Sequence, residues 1–287
     1  MRLDPHHIMF QRSISSPHEH RAGMFRNIRS PETFAKYPLI GVTMLVIGSL
    51  MFGVLAYNLV HHGPLLAWDV PLANRLHATA LASPRWVVDI MIAGFYVGDQ
   101  LLILIGAVLG IYFLCKRYWR ELVMLCNCFG VSAIFFRVLS LAFHRARPVF
   151  ETPIWHMKVI PGFPSGHAIA AVCSYGLLLY FFVPKMKSRA GKAWLTAGVL
   201  LLCVYVLFSR LFVGDHFLTD IFAGLGVGLA WSGASNTTVE LLFRRKKQVE
   251  EPTPPELAIP ERGPVPALEP SLPLTTSHAD PGAVSPA

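Results

Sequence analysis

Charge is what this chain has least of. Only 15% of its 287 residues are Asp, Glu, Lys or Arg, while 53% are hydrophobic. An ordinary soluble domain carries about 25% charged residues. The shortage is uneven: charges vanish from blocks of about 20 residues, the length that carries a helix across a bilayer core of about 30 Å. This excludes a water-soluble globule and predicts a membrane protein with several spans. Cysteine is scarce as well. All five cysteines (Cys115, Cys126, Cys128, Cys173 and Cys203) lie in or beside apolar blocks, which argues against a disulfide scaffold. Cys126 and Cys128 are one residue apart, the wrong spacing for a zinc site. No short apolar stretch follows the basic start before Pro38, so no signal peptide is expected.

What charge there is leans positive, with 25 Lys and Arg against 17 Asp and Glu, a net +8. In a soluble protein that balance would suggest nucleic acid. Here most basic residues flank the apolar blocks, so the bilayer is the expected partner and nucleic acid is not.

The expected fold is all-α, a polytopic membrane protein with a bundle of six transmembrane helices. The predicted spans are Pro38–Val60, 95–115 (with 86–94 extending it at an angle), 121–143, 167–183, 193–209 and 216–235. Residues 61–85 are too polar and Pro-punctuated to span, and suit a loop with a short interfacial helix. Residues 1–36 read as a disordered cytoplasmic tail, in which His6, His7, His18 and His20 are scattered and hold no metal. Residues 37–243 read as the membrane domain. Residues 244–287 read as a basic juxtamembrane stretch and a disordered tail, since ten of the 37 residues from Glu251 onward are proline.

Basic clusters set the orientation. Arg26, Arg29 and Lys36 precede the first span, and Lys116, Arg117 and Arg120 follow the second. Lys185, Lys187, Arg189 and Lys192 follow the fourth, and Arg244 to Lys247 follow the sixth. Six spans place all four clusters on one face, which must be cytoplasmic, with both termini inside. Loops 144–166 and 210–215 then face outward. That face should be poor in basic residues, yet it holds Arg145, Arg147, Lys158 and Arg210.

These exceptions mark chemistry. His216 and Asp220 are spaced i, i+4 at the start of the sixth span, so they stack on one helical face. A carboxylate on the imidazole Nδ1–H leaves Nε2 as a free lone pair, the arrangement of a histidine nucleophile or base. Ser165 is a natural N-cap for the fourth span, and Gly166 lets a ligand approach the free amides of the helix start, an anion site. His167 puts a proton donor beside it. Arg147 and Arg210 supply guanidinium forks suited to phosphate oxygens.

These residues resemble the type 2 phosphatidic acid phosphatase superfamily, whose pattern is Lys-x6-Arg-Pro, Pro-Ser-Gly-His and Ser-Arg-x5-His-x3-Asp. Pro164, Ser165, Gly166 and His167 match the second motif. Ser209, Arg210, His216 and Asp220 match the third, spacing included. The resemblance spans about residues 38–235. In the first motif Arg147 and Pro148 are in place, but Ser140 stands where the family has lysine. Arg137, one turn deeper and reaching up, is the favoured replacement, with Arg145 the other candidate.

The resemblance implies a metal-independent lipid phosphate or diphosphate phosphatase without cofactors. In it, His216 attacks phosphorus to form a phosphohistidine, oriented by Asp220, and His167 protonates the leaving group and then activates water. Arg147, Arg210, Ser165 and Gly166, with Arg137, would bind the phosphate. The expected partners are the bilayer and a lipid phosphate or polyprenyl diphosphate, undecaprenyl diphosphate included, with no obligate protein partner. A lipid phosphotransferase using the same phosphohistidine and a non-catalytic lipid-phosphate binder are the alternatives. A haloperoxidase, which shares the pocket, would need a large soluble helical domain that this chain lacks.

Overall fold

The computed structural model describes residues 32–155 and 160–250, with side chains as far as residue 246. The expected disorder of residues 1–31 and 251–287, the four N-terminal histidines and Lys158 lie outside the described residues. Among the described residues all regular structure is helical.

A single turn, Thr33–Lys36 (α1), leads into Pro38–Val60 (α2), where Pro38 sits at the first helical position and needs no amide partner. The turn corrects the expected disorder of residues 33–36. Phe34 and Ala35 are buried, Glu240 accepts the Ala35 N–H at 2.7 Å, and Arg244 donates to the Ala35 carbonyl at 3.1 Å. A short 3-10 turn, Pro64–Trp68, precedes Asp69–Ala82 (α3), the predicted extra helix. Then follow Arg85–Cys115 (α4), Trp119–Phe143 (α5), Gly166–Phe182 (α6), Arg189–Phe212 (α7) and Leu218–Glu250 (α8). The stretch expected to meet the second span at an angle is continuous with it in α4.

Among the described residues, five helices are long and apolar enough to cross a membrane: α2, α4, α5, α7, and α6 with its terminal turn to Lys185. The sixth predicted span, from its third residue on, lies within α8, which falls short on composition for a physical reason. Thr219, Asp220, Ser232, Ser235, Asn236 and Glu240 are all buried, so α8 turns its polar groups into the bundle. The outward faces are the reverse. Leu39 on α2, Ile103 on α4 and Leu201 on α7 are 67–73% exposed, as a lipid-facing surface requires.

The main apolar core joins Phe113 of α4, Met124 and Cys128 of α5, Leu177 and Phe181 of α6, and Val227 and Val239 of α8. Two helices facing this core carry π-helical turns, Val97–Leu101 in α4 and Asn127–Val131 in α5. Such turns shift the side-chain register by one residue and often mark functional positions.

Apolar burial drives little helix association inside a bilayer, so close backbone packing must serve, and that needs small residues. Gly41 and Gly48 of α2 lie against Gly226, Ala230 and Gly233 of α8. A Cβ on Gly48 would stand 2.4 Å from the Gly226 carbonyl and 2.5 Å from the Ala230 nitrogen, both rigid backbone. Gly53, on the same helix, has open space around it. Gly48→Val should therefore destabilise the bundle by about 2–3 kcal/mol through overpacking. Gly53→Val should leave the unfolding midpoint in detergent unchanged. Equal midpoints for the two variants would refute this close helix pairing.

Candidate active site

Loop 144–165, the start of α6 and the segment before α8 meet at one end of the bundle. The Ser165 N–H donates to the Asp220 carbonyl at 2.9 Å, so α6 and α8 begin side by side. Ser165 is the N-cap of α6, with extended backbone, and its hydroxyl accepts the Ala168 N–H at 3.4 Å. Gly166 follows because no larger residue fits: a Cβ there would be 2.9 Å from the Phe136 ring. In α8 the Asp220 carboxylate reaches back to accept the Phe217 N–H at 2.9 Å, as in a capping box.

His216 therefore lies just before α8, correcting the expectation that it shares a helical face with Asp220. Its Nδ1 stands 3.7 Å from Asp220 Oδ2, an ion-pair distance longer than a hydrogen bond. Its Nε2 points the other way, 3.4 Å from Arg147 Nη1 and 3.6 Å from Asp215 Oδ2. The His167 ring sits 5.9 Å away, centroid to centroid. The two histidines thus flank one small polar chamber.

Arg210 forms a wall of that chamber and is fully buried. Its guanidinium stacks 3.5 Å over the Phe95 ring, and Nη2 donates to the Gly94 carbonyl at 3.1 Å. Gly98 makes room for it, since a Cβ there would be 2.9 Å from Nη2. Its Nε and Nη1 are buried with no hydrogen-bond partner among the described residues. Two orphaned donors on a buried cation call for an anion. Arg147 is anchored through Nε to the Ile160 carbonyl at 2.9 Å and through Nη1 to the Asp215 carboxylate and its carbonyl.

Sequence reasoning does not single out Asp215, although it lies inside the third motif. Burial opposes its charge, but His216, Arg147, His167 and Arg210 hold its carboxyl below the usual range. Donor atoms of His167, Asp215 and His216 lie within 4.8 Å of one another, close enough to ligate a metal. The guanidiniums of Arg147 and Arg210 beside them make the chamber a better host for an anion.

A cavity of about 490 Å³ opens from this chamber between α4, α5 and α6. Both π-helical turns line it, with Asp99 and Gln100 from one and Cys128 and Phe129 from the other. Arg147, Gly166 and His167 form its polar end, and Leu102, Ile103 and Phe136 its apolar walls. One polar headgroup and part of an apolar chain fit such a lining.

The structure separates the two proposed substitutes for the missing lysine. Arg137 is on the exposed face of α5, away from the chamber, while Ser140 is buried and donates to the Arg137 carbonyl at 3.1 Å. Three residues along a helix leave a 60° offset, enough here to send one side chain inward and the other outward. Arg145 is committed elsewhere. It donates to Asp220 Oδ1 at 2.6 Å, to Asp69 Oδ2 at 2.7 Å and to the Thr219 hydroxyl at 2.7 Å. Asp69 in turn accepts the Thr219 N–H at 3.0 Å. Arg145 thus holds Asp220 from behind. Sequence reasoning misses Asp69 because it falls in the segment read as an interfacial loop; a carboxylate beside an apolar block is the available signal.

Comparisons with known proteins bear on the family and the fold. A family model described as the PAP2 superfamily matches residues 121–244. Phosphatidylglycerophosphatase B of Bacillus subtilis (strain 168) is 32% identical over 160 residues, covering 53% of this chain and 75% of its own. The fold resembles the crystal structure of a transmembrane PAP2-type phosphatidylglycerolphosphate phosphatase from Bacillus subtilis. That likeness has a TM-score of 0.56 at 24% identity and covers 75% of this chain and 99% of that one.

Arg145→Ala would leave Asp69 and Asp220 buried without their shared cation, at a cost of about 3–5 kcal/mol. Arg145→Lys should recover part of this, since an ammonium lacks the fork that bridges two carboxylates. Arg137→Ala should change stability by less than about 0.5 kcal/mol. Thermal unfolding in detergent separates the three, and an Arg145→Ala protein as stable as wild type would refute the bridge.

Proposed function

The chain belongs to the PAP2 superfamily and is a membrane phosphatase of lipid phosphates, and we propose that it works through a phosphohistidine on His216. The observation that carries this reading is Arg210, fully buried with two unpartnered nitrogens in a chamber flanked by His216 and His167. A phosphoryl group supplies the missing acceptors and meets Nε2 of His216 on one side. We take Arg147, Arg210, Ser165 and the Gly166 amide as the phosphate ligands. Arg137, on the outer face of α5, has no part in them.

The sequence of events follows from the placement. His216 Nε2 attacks phosphorus and forms an N–P bond while the ester P–O bond breaks. The leaving oxygen keeps that electron pair and takes a proton from His167. Water then attacks the phosphohistidine, giving up a proton to His167, and the N–P electron pair returns to His216. Asp220, held by Arg145 and the Phe217 N–H, fixes the His216 ring. The relative named phosphatidylglycerophosphatase B makes phosphatidylglycerophosphate the first substrate to test, ahead of phosphatidate and polyprenyl diphosphates. The basic clusters support a site at the extracytoplasmic face, with both termini cytoplasmic and a membrane domain at residues 37–243.

His216→Ala should lower phosphate release from these lipids roughly a thousandfold or more without unfolding the protein, because the ring borders a polar chamber. EDTA should leave wild-type release unchanged, since Arg147 and Arg210 supply the positive charge. A His216→Ala protein that retains activity, or strong chelator inhibition reversed by one divalent ion, would overturn the reading. The face has its own test. In a background lacking Cys115, Cys126 and Cys203, a membrane-impermeant thiol label applied to intact cells should reach Thr152→Cys and miss Ser188→Cys. The reverse pattern would put the active site inside.

A further inference from the structure

We propose that Asp99 is a positioning residue for His167, forming a second histidine–carboxylate pair that fixes which imidazole nitrogen exchanges the proton with the leaving group. The proposal rests on the reading of His167 as the proton donor.

Asp99 lies within α4, in a stretch otherwise apolar enough to span the bilayer. A carboxylate at such depth is costly unless it has a task there. It belongs to the π-helical turn Val97–Leu101, which borders the cavity leading to the chamber. Both its oxygens reach His167 Nε2, Oδ1 at 3.2 Å and Oδ2 at 3.3 Å. The other ring nitrogen, Nδ1, is buried without a hydrogen-bond partner and faces the chamber, 4.0 Å from Asp215 Oδ2.

The two histidines are therefore arranged alike. His216 turns Nδ1 to Asp220 and Nε2 to the chamber. His167 turns Nε2 to Asp99 and Nδ1 to the chamber. Each keeps one nitrogen towards a carboxylate and the other towards the chamber, and of the two carboxylate contacts the Asp99 contact on His167 is at hydrogen-bond distance, which fixes that tautomer.

Asp99 matters because His167 must do two opposite things. With both nitrogens protonated, Nδ1–H passes its proton to the departing alcohol oxygen as the P–O bond breaks. His167 is then neutral, with its remaining proton on Nε2 against Asp99 and a lone pair on Nδ1 to accept the proton of the attacking water. Without Asp99 the neutral ring can hold its proton on either nitrogen, and the Nδ1-protonated form is useless for the second step. Asp99 is also the anion nearest the ring; Arg210, Arg147, His216 and Asp215 are the other charged groups that face it.

The test compares two substrates in one preparation: phosphatidate, whose alkoxide must be protonated to leave, and 4-nitrophenyl phosphate, whose phenolate leaves without help. Asp99→Asn should lower kcat/KM, which reads only formation of the phosphohistidine and not the hydrolysis both substrates share, by roughly ten- to a hundredfold on phosphatidate and leave kcat/KM on the aryl ester within about threefold. The alkaline limb of kcat/KM on phosphatidate should move down by about one pH unit, and Asp99→Glu should restore part of both effects. The ratio of the two rates does not depend on how much protein is folded, so a less stable variant still gives an answer. An equal fall on both substrates, or an unchanged ratio and pH limb, overturns the proposal. His167→Ala is the control for the underlying reading. If it loses phosphatidate turnover selectively while Asp99→Asn does not, the role of Asp99 fails and the reading of His167 stands. If His167→Ala keeps phosphatidate turnover, the reading itself fails.

Discussion

The end of the bundle that holds the candidate site is organised by one guanidinium. Arg145, only 11% exposed, sits between the buried carboxylates of Asp69 and Asp220. Its backbone carbonyl also accepts the Gly162 N–H at 2.7 Å, closing the loop that carries Arg147. Three parts of the chain far apart in sequence are thereby fixed to one point: the start of α3, loop 144–165 and the first turn of α8. Two carboxylates sharing one cation are worth little as net stability, because desolvation offsets most of the attraction. Their value lies in geometry. Neither acid can leave Arg145 without stranding a buried charge, so Asp220 is held where His216 needs it.

The bilayer imposes the second constraint. Backbone groups at membrane depth must be satisfied within the protein, so the site has to be assembled where helices begin or loosen. The chamber uses both devices. The N-terminus of α6 brings Gly166 to the cavity, and the π-helical turns of α4 and α5 widen the space between helices into a cavity reaching the chamber. Gly98 lets Arg210 lie flat against α4, where its Nη2 finds the Gly94 carbonyl and its face finds Phe95, while the absence of a side chain at Gly94 lets Ser209 of α7 approach.

Much of this is legible in the sequence, and the limits have physical causes. Helix-length apolar blocks announce themselves by composition, so five of the six expected spans stand out on length and apolarity. The sixth is disguised by the polar groups α8 carries inward. The second motif specifies its own local geometry, cap and all, whereas in the third the helix starts two residues later than the spacing suggests and leaves His216 outside it. Arg137 shows where spacing fails: a helix period tells which residues are near one another, but the direction of a side chain depends on how the helix is rotated against its neighbours. Asp69 and Asp99 are hidden for a related reason. Each meets its partner only through tertiary packing, Asp69 across 76 residues and Asp99 across 68. Even so, an acid inside or beside an apolar block asks for a partner on composition alone.

Charge balance ties these residues together. Arg145 is already neutralised by Asp69 and Asp220, so it cannot stand in for the lysine absent at position 140. Arg147 is engaged with Asp215, which leaves Arg210 as the guanidinium with unpartnered donors in the chamber. A phosphate entering there meets less fixed positive charge than the family pattern with its lysine would provide. Under the proposed mechanism the balance comes from the histidines, whose charge can be present in the first step and absent in the second. A fixed lysine would stabilise phosphate equally throughout, whereas a protonated imidazole stabilises the departing oxygen most, at the moment the bond breaks. A chain with serine at position 140 therefore leans harder on whatever holds His167 protonated and correctly turned, and the carboxylate placed to do so is Asp99.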